Sequence, residues 1–532
     1  MRPEDKERIQ VEVVSRVVEQ HVQRARTAPT GYLEHLVNDT LYHERLRLER
    51  ENPDHPRIKA DKAVYGPMRS RLRHASPSDL QSMLQTLSRH LVDEVTGHFD
   101  PRIYRVATRV VPPGLSLLLN AMSPSRLASL RDLRTTVADH VELRGEIEQI
   151  EKLSRRGTLI VVPTHSSNLD SILLGYAWHL IGMPALCYGA GLNLFHNKML
   201  SFFMHNLGAY KVDRKKKAPL YKDILKQYAT CSIEMGYHNL FFPGGTRSRS
   251  GAVEGNLKKG LLGTSVAAYV NNLRNRNPKP DIFIIPTTLS YKLVLEAETL
   301  IDDHLKAVGK SRYIIEDDEF SKPRRILDFF RDLIALDGKI GVTFSPALDV
   351  FGNRVDGEGN SMDPRGRPVD PTRYVLRDGE PVHDAGRDAQ YTRDLEPELV
   401  DAFHRDSVLM STNVVGHALF RMLQIHNRGM DMYRLLRTGG AAPSFPMADL
   451  HKETGRVIDA LKECRTPPRF GDELQSGDVQ GIVADALKHF AIYHDQPAAE
   501  RRGDRVFHLD RRLLLYYGNR LRGYDLGRAL AT

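Results

Sequence analysis

Residues 161–170 read VVPTHSSNLD: an apolar run ends in a polar turn that holds His165, and Asp170 follows five positions later. An imidazole that donates from one ring nitrogen to a carboxylate is held in a single tautomer, and its other nitrogen can then take a proton from a hydroxyl. The spacing by itself is common: among 22 histidines, the pairs His74/Asp79, His383/Asp388 and His426/Asp431 share it. On a regular helix of about 3.6 residues per turn, positions five apart point roughly 140° away from each other. The two side chains therefore meet only if the chain turns before a helix starts. Ser166, Ser167 and Asn168 favour turns and helix caps, and they predict that break after His165. Such a pair suits attack of an alcohol on a thioester, with no covalent enzyme intermediate and no metal.

A second stretch, FFPGGTRSRSG at residues 241–251, offers an anion cradle. Gly244 and Gly245 permit unusual backbone angles and close approach of a ligand. Thr246 and Ser248 bring donors, and Arg247 and Arg249 can grip a phosphate with their planar guanidinium forks. The GxxxxGK[ST] spacing of a nucleotide P-loop is absent. Between the two stretches lies GAYKVDRKKK, residues 208–217. Arg214, directly after a short strand, is the better phosphate ligand there, and Lys215, Lys216 and Lys217 read as a solvated charge run. Lys259, in the KKG that follows the glycine loop, is a further anion-binding candidate.

Positioning these groups falls to the elements around them. From Thr158 onward short apolar runs alternate with helical stretches: TLIVVP, PALCYG, AYKV, NLFFP and DIFIIP, with KIGVTF at residues 339–344 as a further strand. That alternation predicts an α/β domain over residues 146–345 with a mainly parallel central sheet and flanking helices. Functional groups in such folds gather beyond the carboxyl ends of the strands. Residues 1–145 predict a helical N-terminal domain, with Val11, Val14, Val18 and Val22 at helical spacing and Leu80, Met83, Leu84, Leu87, Leu91 and Val95 marking a second amphipathic helix. Residues 346–395, rich in Gly, Pro and Asp, read as a loop or hairpin insertion. Residues 396–532 read as a mostly helical extension packing on the α/β domain. No internal repeat is expected.

The formal charge of +9 favours an anionic partner, either a membrane surface or a phosphorylated small molecule. No basic tail with interleaved aromatics suggests nucleic acid. Cys187, Cys231 and Cys464 have neither disulfide-framework nor zinc-ligand spacing, which fits a reducing, intracellular compartment. The first residues are charged and lack a signal peptide's apolar core. Residues 171–195 carry no Asp, Glu, Lys or Arg, but their glycines and Pro184 predict helix, turn and buried strand in place of a membrane span. Contact with a membrane is expected from its surface.

Taken in order, HSSNLD, GAYKVDR, FFPGGTRSRSG and IIPTTLSY resemble the four sequence blocks of the glycerolipid acyltransferase superfamily. Their order and placement at strand ends set His165/Asp170 apart from the three other pairs. SYKLVLEAETL after the fourth block, and LLLYYGNRLRGYDL near the C-terminus, resemble the glycerol-3-phosphate acyltransferase type. The resemblance implies a fatty acyl transfer from acyl-CoA or acyl carrier protein to the 1-hydroxyl of glycerol 3-phosphate, the first step of phospholipid synthesis. It implies no metal or prosthetic group, and a cytoplasmic protein resting on an anionic membrane surface. His165 is then the base and Asp170 its orienter. Arg214, Arg247 and Arg249 clamp the phosphate, and Gly245, Thr246 and Ser248 shape that clamp. The superfamily's third block normally reads Phe-Pro-Glu-Gly-Thr-Arg-Ser, and Gly244 stands here in place of its glutamate, which leaves the acceptor open. Glu254, expected on the following helix, could supply a carboxylate instead. A lysophospholipid acyltransferase, and a non-catalytic lipid- or carrier-binding relative, remain the alternatives.

Overall fold

A computed structural model describes residues 2–106, 141–192, 207–308 and 339–526, with residues 322, 324–326 and 329 between the last two segments. Seven strands form the central sheet: β1 Val141–Gly145, β2 Thr158–Pro163, β3 Cys187–Gly191, β4 Ala209–Val212, β5 Asn239–Leu240, β6 Ile282–Tyr291 and β7 Ile340–Phe344. Their order across the sheet is β1-β7-β6-β2-β5-β3-β4. β6, β2, β5, β3 and β4 run parallel. β7 is antiparallel to β6 and carries β1 parallel beside it. The central strand TLIVVP is buried along its whole length, as a strand covered on both faces must be. Side chains alternate between those faces. Ile160 and Val162 join Ile284 and the helix Lys259–Arg274 in one core. Leu159 and Val161 join Leu173, Leu174 and Trp178 of the helix Asp170–Leu180 in another.

The uncharged stretch forms the helix Asp170–Leu180, a turn and β3, as expected. No helix among the described residues is long and apolar enough to cross a membrane.

Several boundaries differ from the sequence expectation. Val141–Gly145, counted with the N-terminal helices, is strand β1 of the main sheet. The helix Ala385–Asp406 starts inside the expected insertion. That insertion contains a short internal repeat that sequence reading missed. Asp349, Asp356 and Asp363 recur every seven residues, and each carboxylate accepts two backbone N–H groups from its own turn. Gly352, Gly359 and Gly366 follow three residues later, all at positive φ, where only a glycine turns cheaply.

Four N-terminal helices, α1 Pro3–Thr27, α2 Tyr32–Leu48, α3 Pro56–Arg71 and α4 Pro77–Val95, confirm the helical character of that segment where it is described. Residues 107–140 of the expected helical domain lie outside the described residues. In α4, Ser76 and Asp79 form a capping box, and Met83, Leu84, Leu87, Leu91 and Val95 face inward. In α1 the innermost residues are Ile9, Val13 and Val17, and Val11 is 69% exposed. These helices share one core with β4 and the helix Pro219–Glu234, through Tyr210, Tyr221, Ile224 and Tyr228.

A buried ionic cluster ties them to the turn after β4, and it overturns the solvated reading of Lys216. The Lys216 side chain is fully buried, with its ammonium 2.6 Å from Glu94 Oε2 of α4 and 3.1 Å from Glu44 Oε2 of α2. Arg47 pairs with Glu44 at 2.7 Å and closely with Asp61. Arg57 of α3 reaches Asp213 at 3.3 Å. Asp61, His90 and Glu94 form the one carboxylate and histidine group among the described residues that is compact enough for a metal ion. Lys216 and Arg47 already bring positive charge to it. The same pairs hold both ends of Asp213–Lys216, the turn that presents Arg214. Removing one partner of a buried ion pair strands the other, so Lys216→Met is expected to cost about 3–5 kcal/mol of stability in chemical denaturation. An unchanged midpoint would show that the cluster is not a clamp.

Candidate active site

The register of the sheet assembles the site. β2 and β5 align Val161 with Leu240, so the chain just beyond them brings His165 and Phe242 side by side. Their rings stack with centroids 3.9 Å apart. β2 and β6 align Pro163 with Thr287, and the longer β6 continues to Tyr291 under the start of the helix Asp170–Leu180. The chain turns between His165 and that helix, as the five-residue spacing requires.

Asp170 is the first residue of the helix and is fully buried. Its Oδ2 accepts from His165 Nδ1 at 2.9 Å, from Ser166 N at 2.6 Å and from Ser167 N at 2.9 Å. Its Oδ1 takes a close hydrogen bond from the Tyr291 hydroxyl. Burial and the Asp170 charge raise the Tyr291 phenol well above its ordinary pKa, so it stays a donor. Every partner of the carboxylate therefore donates, Nδ1 carries the imidazole proton, and Nε2 is left as the basic nitrogen. Burial lowers the His165 pKa below its ordinary 6.5, and the positive charges of Arg247 and Arg214 lower it further, against the opposing pull of Asp170. His165 is thus neutral at physiological pH.

Of the other pairs, His383 also approaches Asp388, at 3.7 Å, but on the surface at a helix start. His426 Nδ1 pairs with the carbonyl of Met422, and Asp79 serves the cap of α4.

The charges of Arg214 and Arg247 reach His165, and those of Arg247 and Arg249 reach Arg214. Partial desolvation and the charges of Arg247 and Arg249 lower the Arg214 pKa, although much of that side chain remains open to solvent. Arg247 Nη1 lies 3.2 Å from Glu296 Oε1. Glu296, which sequence reading left without a role, also accepts from Ser167 Oγ at 2.7 Å and Asn168 N at 3.0 Å. It therefore joins the arginine loop to the histidine turn. Gly245 adopts a φ of +72° at the bend, and Thr246 is exposed. Ser248 acts as scaffold: its N–H donates to His165 O at 2.7 Å and its hydroxyl to Ala252 O at 2.6 Å. Lys259 is placed differently from its expectation. It opens the helix Lys259–Arg274, and its ammonium is paired with Glu396 at 2.5 Å. Glu254 lies before that helix, not on it.

The C-terminal segment closes the loop from outside. Asn519 donates to Ser250 O at 2.8 Å, and buried Arg520 donates to Leu289 O of β6 at 2.9 Å.

Residues 144–290 match the family model described as Acyltransferase. Over these residues the chain is similar to the Acyltransferase family. Similar to it are proteins named glycerol-3-phosphate acyltransferase. The one from Pseudomonas fluorescens (strain Pf0-1) is 26% identical over 37% of this chain and 22% of its own length. That of Aeromonas hydrophila subsp. hydrophila is 32% identical over 29% and 18%. That of Pseudomonas syringae pv. tomato is 27% identical over 40% and 24%. The matches thus span about a fifth to a quarter of the relatives' length. Within the matched residues lie His165, Asp170, all three arginines and nearly all of β6. Tyr291, Glu296 and the C-terminal segment complete the site from beyond it.

Gly251, at φ +83°, abuts that C-terminal segment: a Cβ there would lie 2.1 Å from Tyr516 O. Gly251→Ala is expected to lower stability by about 1–3 kcal/mol, the usual cost of overpacking, and to speed tryptic cleavage after Arg511 and Arg512. A variant with the parent's denaturation midpoint and cleavage rate would show that the contact does not hold the segment in place.

Proposed function

We propose that the chain transfers a fatty acyl group from acyl-CoA or acyl carrier protein to the 1-hydroxyl of glycerol 3-phosphate. The observation that carries this reading is a neutral, Asp170-oriented His165 facing a group of arginines within an acyltransferase domain. Arg214 and Arg249 have no counter-ion among the described residues, which suits the phosphate of the acceptor. Nε2 of His165 takes the proton of the acceptor hydroxyl as its oxygen attacks the thioester carbonyl. The new C–O bond forms, the C–S bond breaks, and the departing thiolate recovers the proton from the imidazolium. The thioester already carries the activation, so the protein's work is positioning and deprotonation. The net positive charge supports a peripheral seat on an anionic bilayer, where an amphiphilic product can leave.

Purified protein offered labelled acyl-CoA and acyl carrier protein donors, with glycerol 3-phosphate, dihydroxyacetone phosphate and lysophosphatidate as parallel acceptors, is expected to esterify glycerol 3-phosphate best. Preference for lysophosphatidate would move the reading to a lysophospholipid acyltransferase. No ester with any acceptor, alongside retained lipid or carrier binding, would make the chain a binding protein. His165→Ala should lose roughly a hundred- to ten-thousand-fold in turnover while still folded. Arg214→Ala should raise the acceptor KM by about ten- to a hundredfold, the worth of a charged hydrogen bond.

The pH profile has a definite sign. The active form of His165 is the neutral one and its pKa is lowered, so kcat/KM should hold as pH falls to 6.5 and decline only below it. An acid limb centred above 6.5 would contradict the assignment of the base.

A further inference from the structure

Where β2 ends, the ladder no longer supplies partners for the chain. The Thr164 N–H still donates to Thr287 O across the sheet, at 3.0 Å, but the next amide, that of His165, lies past the last paired strand position. A buried N–H left without an acceptor is costly. Here the acceptor is a carboxylate: His165 N donates to Glu254 Oε1 at 2.6 Å. The carbonyl of the same residue is held by Ser248 N at 2.7 Å. The main chain of the base is therefore gripped on both sides by one segment, residues 244–254.

Glu254 also fills the space over Gly244. A Cβ built on Gly244 would lie 3.1 Å from Glu254 Cγ and 3.7 Å from its Oε1. A side chain rooted at position 244 would thus enter the volume that the Glu254 carboxylate occupies. Gly244 itself does not adopt a positive φ, so its backbone accepts a side chain. Burial pushes the Glu254 carboxyl up to about 7, Arg520 of the C-terminal segment pulls it down, and Asp170 adds to the rise. Its second oxygen, Oε2, is buried with no hydrogen-bond partner among the described residues. A carboxylate is costly in such a place, and its retention points to the contact that Oε1 makes.

We propose that Glu254 is the positioning residue of His165, supplying from ten residues downstream the carboxylate oxygen that position 244 lacks. It acts through the backbone: with the His165 amide anchored, Nε2 meets the acceptor hydroxyl at a fixed distance. The inference rests on the acyl-transfer reading for its kinetic test. A misplacement of the base by about 1 Å is enough to cost up to a hundredfold in rate.

The test uses the full chain with Glu254→Ala, Glu254→Gln and the double variant Glu254→Ala/Gly244→Glu, assayed with the best donor and acceptor of the parent. Glu254→Ala is expected to lower kcat at least about tenfold with little change in acceptor KM. Glu254→Gln keeps an acceptor oxygen in the same place and is expected to retain most of kcat. The double variant, which moves the carboxylate to position 244, should recover a large part of what Glu254→Ala loses. Full kcat in Glu254→Ala, loss in Glu254→Gln equal to that of His165→Ala, or no recovery in the double variant each overturns the proposal. Should Glu254→Ala fail to fold, the glutamine variant decides alone. Absence of turnover in the parent chain would instead count against the acyl-transfer reading. The positioning contact is then read from the His165 amide resonance, which must shift between parent and Glu254→Gln; an unmoved resonance overturns it.

Discussion

The Asp170 carboxylate is the constraint on which the rest of the site depends. A fully buried negative charge is costly unless donors surround it, and here four do: the His165 imidazole, two backbone N–H groups and the Tyr291 hydroxyl. Its place in the first turn of the helix Asp170–Leu180 adds the favourable end of the helix dipole. The imidazole and the two backbone groups need the chain to turn after β2, and the phenol needs β6 to run to Tyr291. With every contact a donor to the carboxylate, the tautomer of His165 has no alternative.

Around that centre, segments far apart in sequence serve as supports. Glu296 couples the arginine loop to the histidine turn. The C-terminal segment closes over the loop through Asn519, and Arg520 reaches β6. The N-terminal helices hold the turn of Arg214 through Lys216 and Arg57. An arginine beside two other arginines is electrostatically unfavourable. Fixing its backbone from behind keeps it there without an ion pair at its head among the described residues. The Arg247–Glu296 pair offsets part of the cost of holding the positive charges together, and burial, aided by the charges of Arg247 and Arg214, keeps His165 unprotonated.

Much of this was legible in the residues. Parallel strands buried on both faces write continuous apolar runs, and TLIVVP and DIFIIP carry that signal. The turn residues of HSSNLD located the break that brings His165 to Asp170, and the glycine and arginine pattern located the loop. What escaped depends on long-range pairing. VELRG is short and partly exposed, and its strand character comes from β7, about two hundred residues later. Lys216 sits in a run of lysines that looks solvated until Glu44 and Glu94 arrive from distant helices. Tyr291 and Phe242 lie in apolar surroundings that read as core. Lys259 looked like an anion ligand because Glu396, its counter-ion, is contributed by a separate helix.

The central claim is that Asp170 holds His165 as a neutral imidazole with its proton on Nδ1. The 15N spectrum of the His165 ring near neutral pH, assigned by its absence from His165→Gln, measures this without any substrate. A protonated Nδ1 beside a bare Nε2 is the predicted result. A ring protonated on Nε2 alone, or on both nitrogens, would contradict the account.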